Sequence, residues 1–287
     1  MDELQVISID NVSFHIKEKH KFEWLKVLGE VFIVFDEQDS GNICFGIEKD
    51  GIKKFVKFAG AKTKEYSGHP EDAIARLKSS VPIYKHLKHK HLINLLDHFE
   101  VENGYVLVFD WFNGECLHSH WSFPPPHKYT HPDSPFFRYK QLPIDKRLES
   151  FKNILEFHVH VEKKDYVAVD FYDGSILYDF KTNVTKICDI DFYKKKPFIN
   201  TMGRLWGSSR FMSPEEFEIG ALIDERTNVF NMGAIAFGLF GGELDRSILK
   251  WDAGEELYKV AMKAVSVDKK DRYSKVEELF LAWESLI

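Results

Sequence analysis

The chain has 287 residues, a length that fits one large domain or two lobes sharing a cleft. Hydrophobic residues make up 44% and charged residues 29%, ordinary globular values that exclude wholesale disorder. The net charge of −6 lacks the basic excess of a general nucleic-acid binder, and three scattered cysteines (Cys44, Cys116, Cys188) exclude a disulfide framework or a structural zinc site.

The opening stretch, MDELQVISID, is acidic and without a long apolar run, so no secretory signal is expected. No apolar stretch reaches the ~18 residues that span a bilayer. A soluble, cytoplasmic protein is expected, with neither membrane nor nucleic acid as a partner.

Strands come first. EVFIVFD at 30–36 is rich in β-branched and aromatic residues, DSGN and KDG read as tight turns, and ICFGIE and KKFVKFAG complete a three-strand antiparallel meander. Residues 70–88 read as a helix with Pro70 in its first turn and Ala73, Leu77, Val81, Tyr84 and Leu87 at helical spacing. Pro82 inside that run predicts a kink or break near Ser80. Two more strands are expected at 92–96 and 105–109, followed by DWFNGE as a linker. Residues 118–143, with SFPPPHKYTHPDSPF at their centre, predict a long loop.

Helices dominate the rest. They are expected at 144–161, 229–240, 257–265 and 276–287, with a β-rich segment over 167–192. The stretch 229–240 is apolar nearly all round, which marks a helix buried in the middle of a lobe. The order of elements gives an α+β plan in two lobes, a β-rich N-terminal lobe over 1–112 and a mainly helical C-terminal lobe over 113–287.

Six motifs now fall in a familiar order. They are FVK ending at Lys57, KHLKHKHLINLLDHF at 85–99, AVDFYDGSILYD at 168–179, KICDID at 186–191, GSSRFMSPEE at 207–216, and IDERTNVFNMGAIAFGLFGG at 223–242. Together they resemble the eukaryotic-type protein kinase family, in its bacterial Ser/Thr form, over the chain from about Val27 onward. The resemblance implies a bilobal kinase-like fold and an ATP- and Mg2+-dependent phosphotransferase. Its acceptor would be a hydroxyl of a protein or of a small molecule.

The resemblance also assigns roles. Lys57 matches the lysine that pairs with the ATP phosphates, and Gly41, Asp110, Phe112 and Ser175 fall to nucleotide binding. Asp170 matches the catalytic aspartate and Asp189 the magnesium-binding aspartate. Glu215 matches a glutamate whose expected partner is the arginine of DKKDR, Arg272.

The departures are as specific as the matches. Ser80 stands where the helix glutamate partner of Lys57 belongs. Ala168 and Val169 replace His and Arg before Asp170, Tyr172 replaces a lysine, and Ser175 replaces the metal-binding asparagine. Asp173 or Ser175 is expected to supply that missing ligand. The glycine-rich loop, over residues 36–43, keeps only Gly41 and carries Asp36, Glu37 and Asp39 instead. Asn228 replaces an aspartate but can still accept a backbone N–H. Of the HxH pairs, His158 is expected to be a satisfied core histidine. A pseudokinase scaffold and a small-molecule kinase of the aminoglycoside or choline type remain alternative readings.

Overall fold

In the computed structural model, which describes residues 4–287, β-strands fill the first part of the chain and helices the second. The chain divides into two units. One runs up to Lys88 and includes Ile93–Asn113, and the other comprises His89–Leu92 and Gly114–Ile287.

The first unit opens with a hairpin, β1 (Gln5–Ile9) and β2 (Val12–Ile16), then a short helix α1 (Leu25–Leu28). The expected meander follows as β3 (Glu30–Phe35), β4 (Asn42–Lys49) and β5 (Ile52–Ala59). Helix α2 (Pro70–His86) comes next, then β6 (Leu95–Val101) and β7 (Gly104–Asp110). The five strands form one antiparallel sheet in the order β3-β4-β5-β7-β6. Phe14, Phe22, Phe45 and Phe58 interlock edge to face beneath it and supply most of the core.

Two expectations need correction here. Helix α2 runs through Pro82 without a break. Its predicted apolar positions, Ala73, Leu77, Val81, Tyr84 and Leu87, are all buried, and that packing outweighs the one hydrogen bond proline removes. The strand expected at 92–96 begins instead at Leu95 and extends to Val101. Leu92 belongs to the second unit, where it is buried and bridges Ile187.

The second unit starts with β8 (Glu115–Cys116), followed by two short helices, α3 (His127–Thr130) and α4 (Pro135–Lys140). The loop expected over 118–143 is therefore partly helical. Three of its prolines, Pro126, Pro135 and Pro143, sit at helix starts, where a missing N–H costs nothing. Pro126 precedes α3, and Pro135 opens α4 behind Ser134, whose Oγ accepts from Phe137 N–H at 3.4 Å.

Next come α5 (Ile144–Lys163) and the short strands β9 (Tyr166–Val167), β10 (Ile176–Asp179), β11 (Val184–Ile187), β12 (Lys194–Lys195), β13 (Phe198–Ile199) and β14 (Leu222–Ile223). Helices α6 (Glu225–Phe240), α7 (Glu255–Ala264) and α8 (Val276–Glu284) close the unit. Helix α6 is buried on every side from Thr227 to Phe240, as its apolar sequence predicts. Phe151 of α5, Phe240 of α6 and Trp283 of α8 meet at its end. No helix is long and apolar enough to cross a membrane among the described residues.

Candidate functional site

The loop over 168–175 links β9 to β10, and α6 grips its start. Asn228 Oδ1 accepts the Ala168 N–H at 2.8 Å while its amide donates to the Tyr166 carbonyl at 3.0 Å. Asparagine thus does the work expected of it in place of aspartate. A tight turn follows, closed by Phe171 N–H on the Ala168 carbonyl at 3.3 Å. Phe171 is driven into the core against His158, with ring centroids 4.3 Å apart. His158 is itself satisfied, by the Ile154 carbonyl at 2.8 Å and the Tyr193 hydroxyl at 2.9 Å.

Asp170, at the turn, holds a left-handed backbone with φ of 66°. Asp189 does the same at 54° and is exposed. Such conformations cost a non-glycine residue about 1 kcal/mol or more, and Asp tolerates them best. The two loops are stitched together by Cys188 N–H on the Ser175 carbonyl at 2.9 Å, which sets Ser175 beside the residue before Asp189. Tyr172 lies between them. Burial pushes its hydroxyl pKa upward, and the charges of Asp189 and Asp170 push it further. Ser175 Oγ is buried and makes no hydrogen bond.

Asp173 was a candidate metal ligand, and its surroundings remove it from that role. Its side chain is 1% exposed and both oxygens are occupied. Arg210 grips it in a two-pronged pair at 2.9 Å on each oxygen, and Lys128 Nζ lies 2.5 Å from Oδ2. Glu243 closes the cluster, accepting from Lys128 at 2.8 Å, Arg210 at 2.7 Å and the Tyr129 hydroxyl at 2.9 Å. Two cations and two carboxylates thus neutralise one another out of water. Burial alone would raise the Asp173 pKa, but Lys128 and Arg210 hold it below the usual carboxylate range.

Arg210 also fixes the segment over 207–216 against the loop. Gly207, at φ 137°, comes so close that a β-carbon there would lie 3.5 Å from the Asp170 Cα. The far end of the segment is held by the expected pair, Arg272 to Glu215, at 2.7 and 3.0 Å with both residues buried. The next residue, Glu216, is buried too. It accepts from Ser213 N–H at 2.7 Å and from Asn231 at 2.9 Å, and burial lifts its pKa to about 7.

In the first unit, Lys57 lies on β5 between Cys44 of β4 and Leu107 of β7 and is 8% exposed. Ser80 on α2 is fully buried, and its hydroxyl donates to the Leu77 carbonyl at 2.8 Å. It supplies no charge, and Glu71 and Asp72 are exposed at the far end of the helix. The turn over 36–41 is tied down by its own unit. Asp36 accepts the His15 N–H at 2.9 Å, Lys64 pairs with Glu37 at 3.1 Å, and Arg76 donates to the Ser40 carbonyl. Gly41, at φ 78°, packs on Tyr66, so that a β-carbon there would sit 2.6 Å from its ring. Asp110 is exposed at the end of β7, with its N–H on the Asn94 carbonyl at 3.1 Å, and Phe112 is half-buried just beyond.

Within the second unit the fold therefore brings Asp170, Tyr172, Ser175 and Asp189 together. No group of three His, Cys, Asp or Glu has metal-centre geometry among the described residues. The donors that fit a hard cation are Asp189 and the unsatisfied Ser175 hydroxyl, and the remaining ligands would have to come from water or phosphate. Sequence reasoning missed Lys128, Arg210 and Glu243. The one local signal was a lysine placed just after PPP, where a helix can start. No protein-family model matches the chain.

Proposed function

We propose that the chain is a divergent protein-kinase-like phosphotransferase of bilobal plan that moves the γ-phosphoryl group of ATP to a hydroxyl. The observation that carries this reading is the pair of left-handed aspartates, Asp170 and Asp189, on two loops stitched through Ser175 and facing one tyrosine. Phosphoryl transfer asks mainly for positioning and charge. Asp170 would orient the acceptor hydroxyl and take its proton as the new O–P bond forms and the bond to the ADP oxygen breaks. Mg2+, held by Asp189 with Ser175, would neutralise charge building on the phosphates.

A polypeptide Ser or Thr is the favoured acceptor. The segment over 207–216 is clamped at both ends by buried ion pairs, which suits a fixed platform for an extended chain. A scaffold that binds nucleotide without turnover is the second reading. The uncharged Ser80 and the Tyr66 ring packed against Gly41 favour it.

The test uses the full chain with γ-labelled ATP, Mg2+ and casein, beside a nucleotide thermal-shift titration. Transfer is expected, and Asp170→Asn should lower it by about 100-fold or more with the nucleotide shift intact. A shift without transfer would establish the scaffold reading. Undiminished transfer by Asp170→Asn would refute the assignment of Asp170.

A further inference from the structure

Two loops of the second unit expose large aliphatic side chains in groups. In the loop between α6 and α7, Leu249 is 92% and Leu244 64% exposed, and Ile248 is exposed with them. In the turn that leads from the 207–216 segment to β14, Phe217, Ile219 and Leu222 are exposed, Ile219 at 73%. Leu222 pairs across β13 and β14 with Ile199, which is exposed as well. Single apolar residues on a surface need no explanation, but groups of them mark an interaction surface.

Each loop also holds one charge that the chain leaves unanswered. Arg246 is half-buried, its guanidinium carbon 5.1 Å from the ring centroid of Phe230 and 5.8 Å from that of Phe237, both on α6. Its Nε–H finds no acceptor, and no carboxylate offsets the burial that lowers its pKa. The acid next to it in sequence, Asp245, is occupied by the Ser247 N–H at 3.2 Å. Glu218, between Phe217 and Ile219, is exposed and makes no ion pair among the described residues. The two loops meet at one ring. Arg272, which holds Glu215 just before the turn, lies 4.8 Å from the same Phe230 centroid that Arg246 covers. They therefore adjoin one another around Phe230.

A surface with one unanswered cation and one unanswered anion, each set among aliphatic side chains on adjoining loops, is complementary to itself. A two-fold axis through it lays each loop of one copy on the other loop of the second copy, so the same contact forms twice. We propose that two copies of this chain pair through this face, the 244–249 loop of each seated on the 217–222 turn of the other, with Arg246 facing the other copy's Glu218. The aliphatic groups then leave water together. The Arg246 guanidinium, already partly desolvated over its two rings, gains the carboxylate it lacks, and the charges fix the register of the pair. Arginine and aromatic side chains are what the centre of a protein interface favours. The pairing is independent of the phosphotransfer reading.

Sedimentation velocity of the full chain over about 1–200 μM, in about 0.15 M salt, tests this. The parent should form a dimer with a Kd of about 100 μM or tighter. Arg246→Glu and Glu218→Arg each set like charges against one another at both contacts, and each should weaken association about 10-fold or more. Mixing the two variants in equal amounts should restore it, because each then meets the opposite charge at both contacts. That recovery also shows that both variants are folded. Leu249→Ser, at a side chain almost wholly in water, leaves the core untouched and should weaken the dimer several-fold. A parent that stays monomeric throughout would overturn the proposal and leave the face to a different chain. A dimer indifferent to both charge reversals, or a mixture no stronger than its two components, would overturn it as well.

Discussion

Replacing Lys128 by methionine removes one cation from a closed four-charge cluster while keeping the aliphatic stem. Lys128 is 1% exposed and bonds to both Asp173 and Glu243, so its loss leaves two carboxylates sharing Arg210 alone. Breaking a buried pair by removing one partner costs about 3–5 kcal/mol. Because Arg210 still reaches both acids, the lower end applies, about 3 kcal/mol. At about 2–4 °C per kcal/mol, that lowers the melting transition by about 6–12 °C. Urea denaturation followed by tryptophan fluorescence measures it, with an unchanged slope as the sign that stability alone has moved. The double variant Lys128→Met, Glu243→Gln restores neutrality and should regain at least about 1 kcal/mol over the single change. A single variant as stable as the parent, or a double variant weaker than the single, would refute the view that charge balance holds this cluster together.

Three more outcomes follow from the geometry. Ser175→Ala removes a buried hydroxyl that has no partner, so the metal-free protein should gain up to about 1 kcal/mol in urea denaturation, while the Mg2+ concentration needed for transfer should rise. Gly41→Ala forces a side chain into φ 78° and against the Tyr66 ring, and should destabilise the first unit by about 1–2 kcal/mol, seen as faster amide exchange in β3 and β4. Stability should also fall from about pH 5 to pH 8. Burial lifts Glu162 and Glu216 to about 7, so each contributes fully below its unfolded pKa and loses that contribution as pH rises through 7. A carboxyl pKa lifted from 4.5 to about 7 corresponds to at most about 3 kcal/mol for each group. Glu216→Gln should flatten roughly half of this slope. Asp173 and Glu215, held low by Arg and Lys partners against their burial, act in the opposite sense, and their contribution disappears only in strong acid.

The parts of the molecule legible in the sequence were those written in short-range pattern. The meander shows in β-branched runs between turns, and α6 in an apolar stretch too complete for a surface helix. The Glu215–Arg272 pair could be named because each half sits in its own recognisable segment. The Asp173 error has a different origin. Its partners lie 45 and 37 positions away, at Lys128 and Arg210, and no local pattern marks either as its neighbour. The proline-rich stretch was misjudged because proline ends a helix in its interior yet starts one at its first turn. The packing of Tyr66 on Gly41 was invisible for the same reason as the cluster: it joins a turn to residues after a strand has intervened.

The charge cluster also constrains how this sequence can change over time. Its four members sit on α3, on the Asp170 loop, on the 207–216 segment and just after α6, yet they answer to one neutrality condition. A substitution at any one strands charge at the other three, so descent should pass through paired exchanges of opposite sign, or not at all. Among sequences related to this one, positions 128, 173, 210 and 243 are expected to vary together as a single heritable unit. The exposed Ser209 beside Arg210 stands outside that condition and should vary freely.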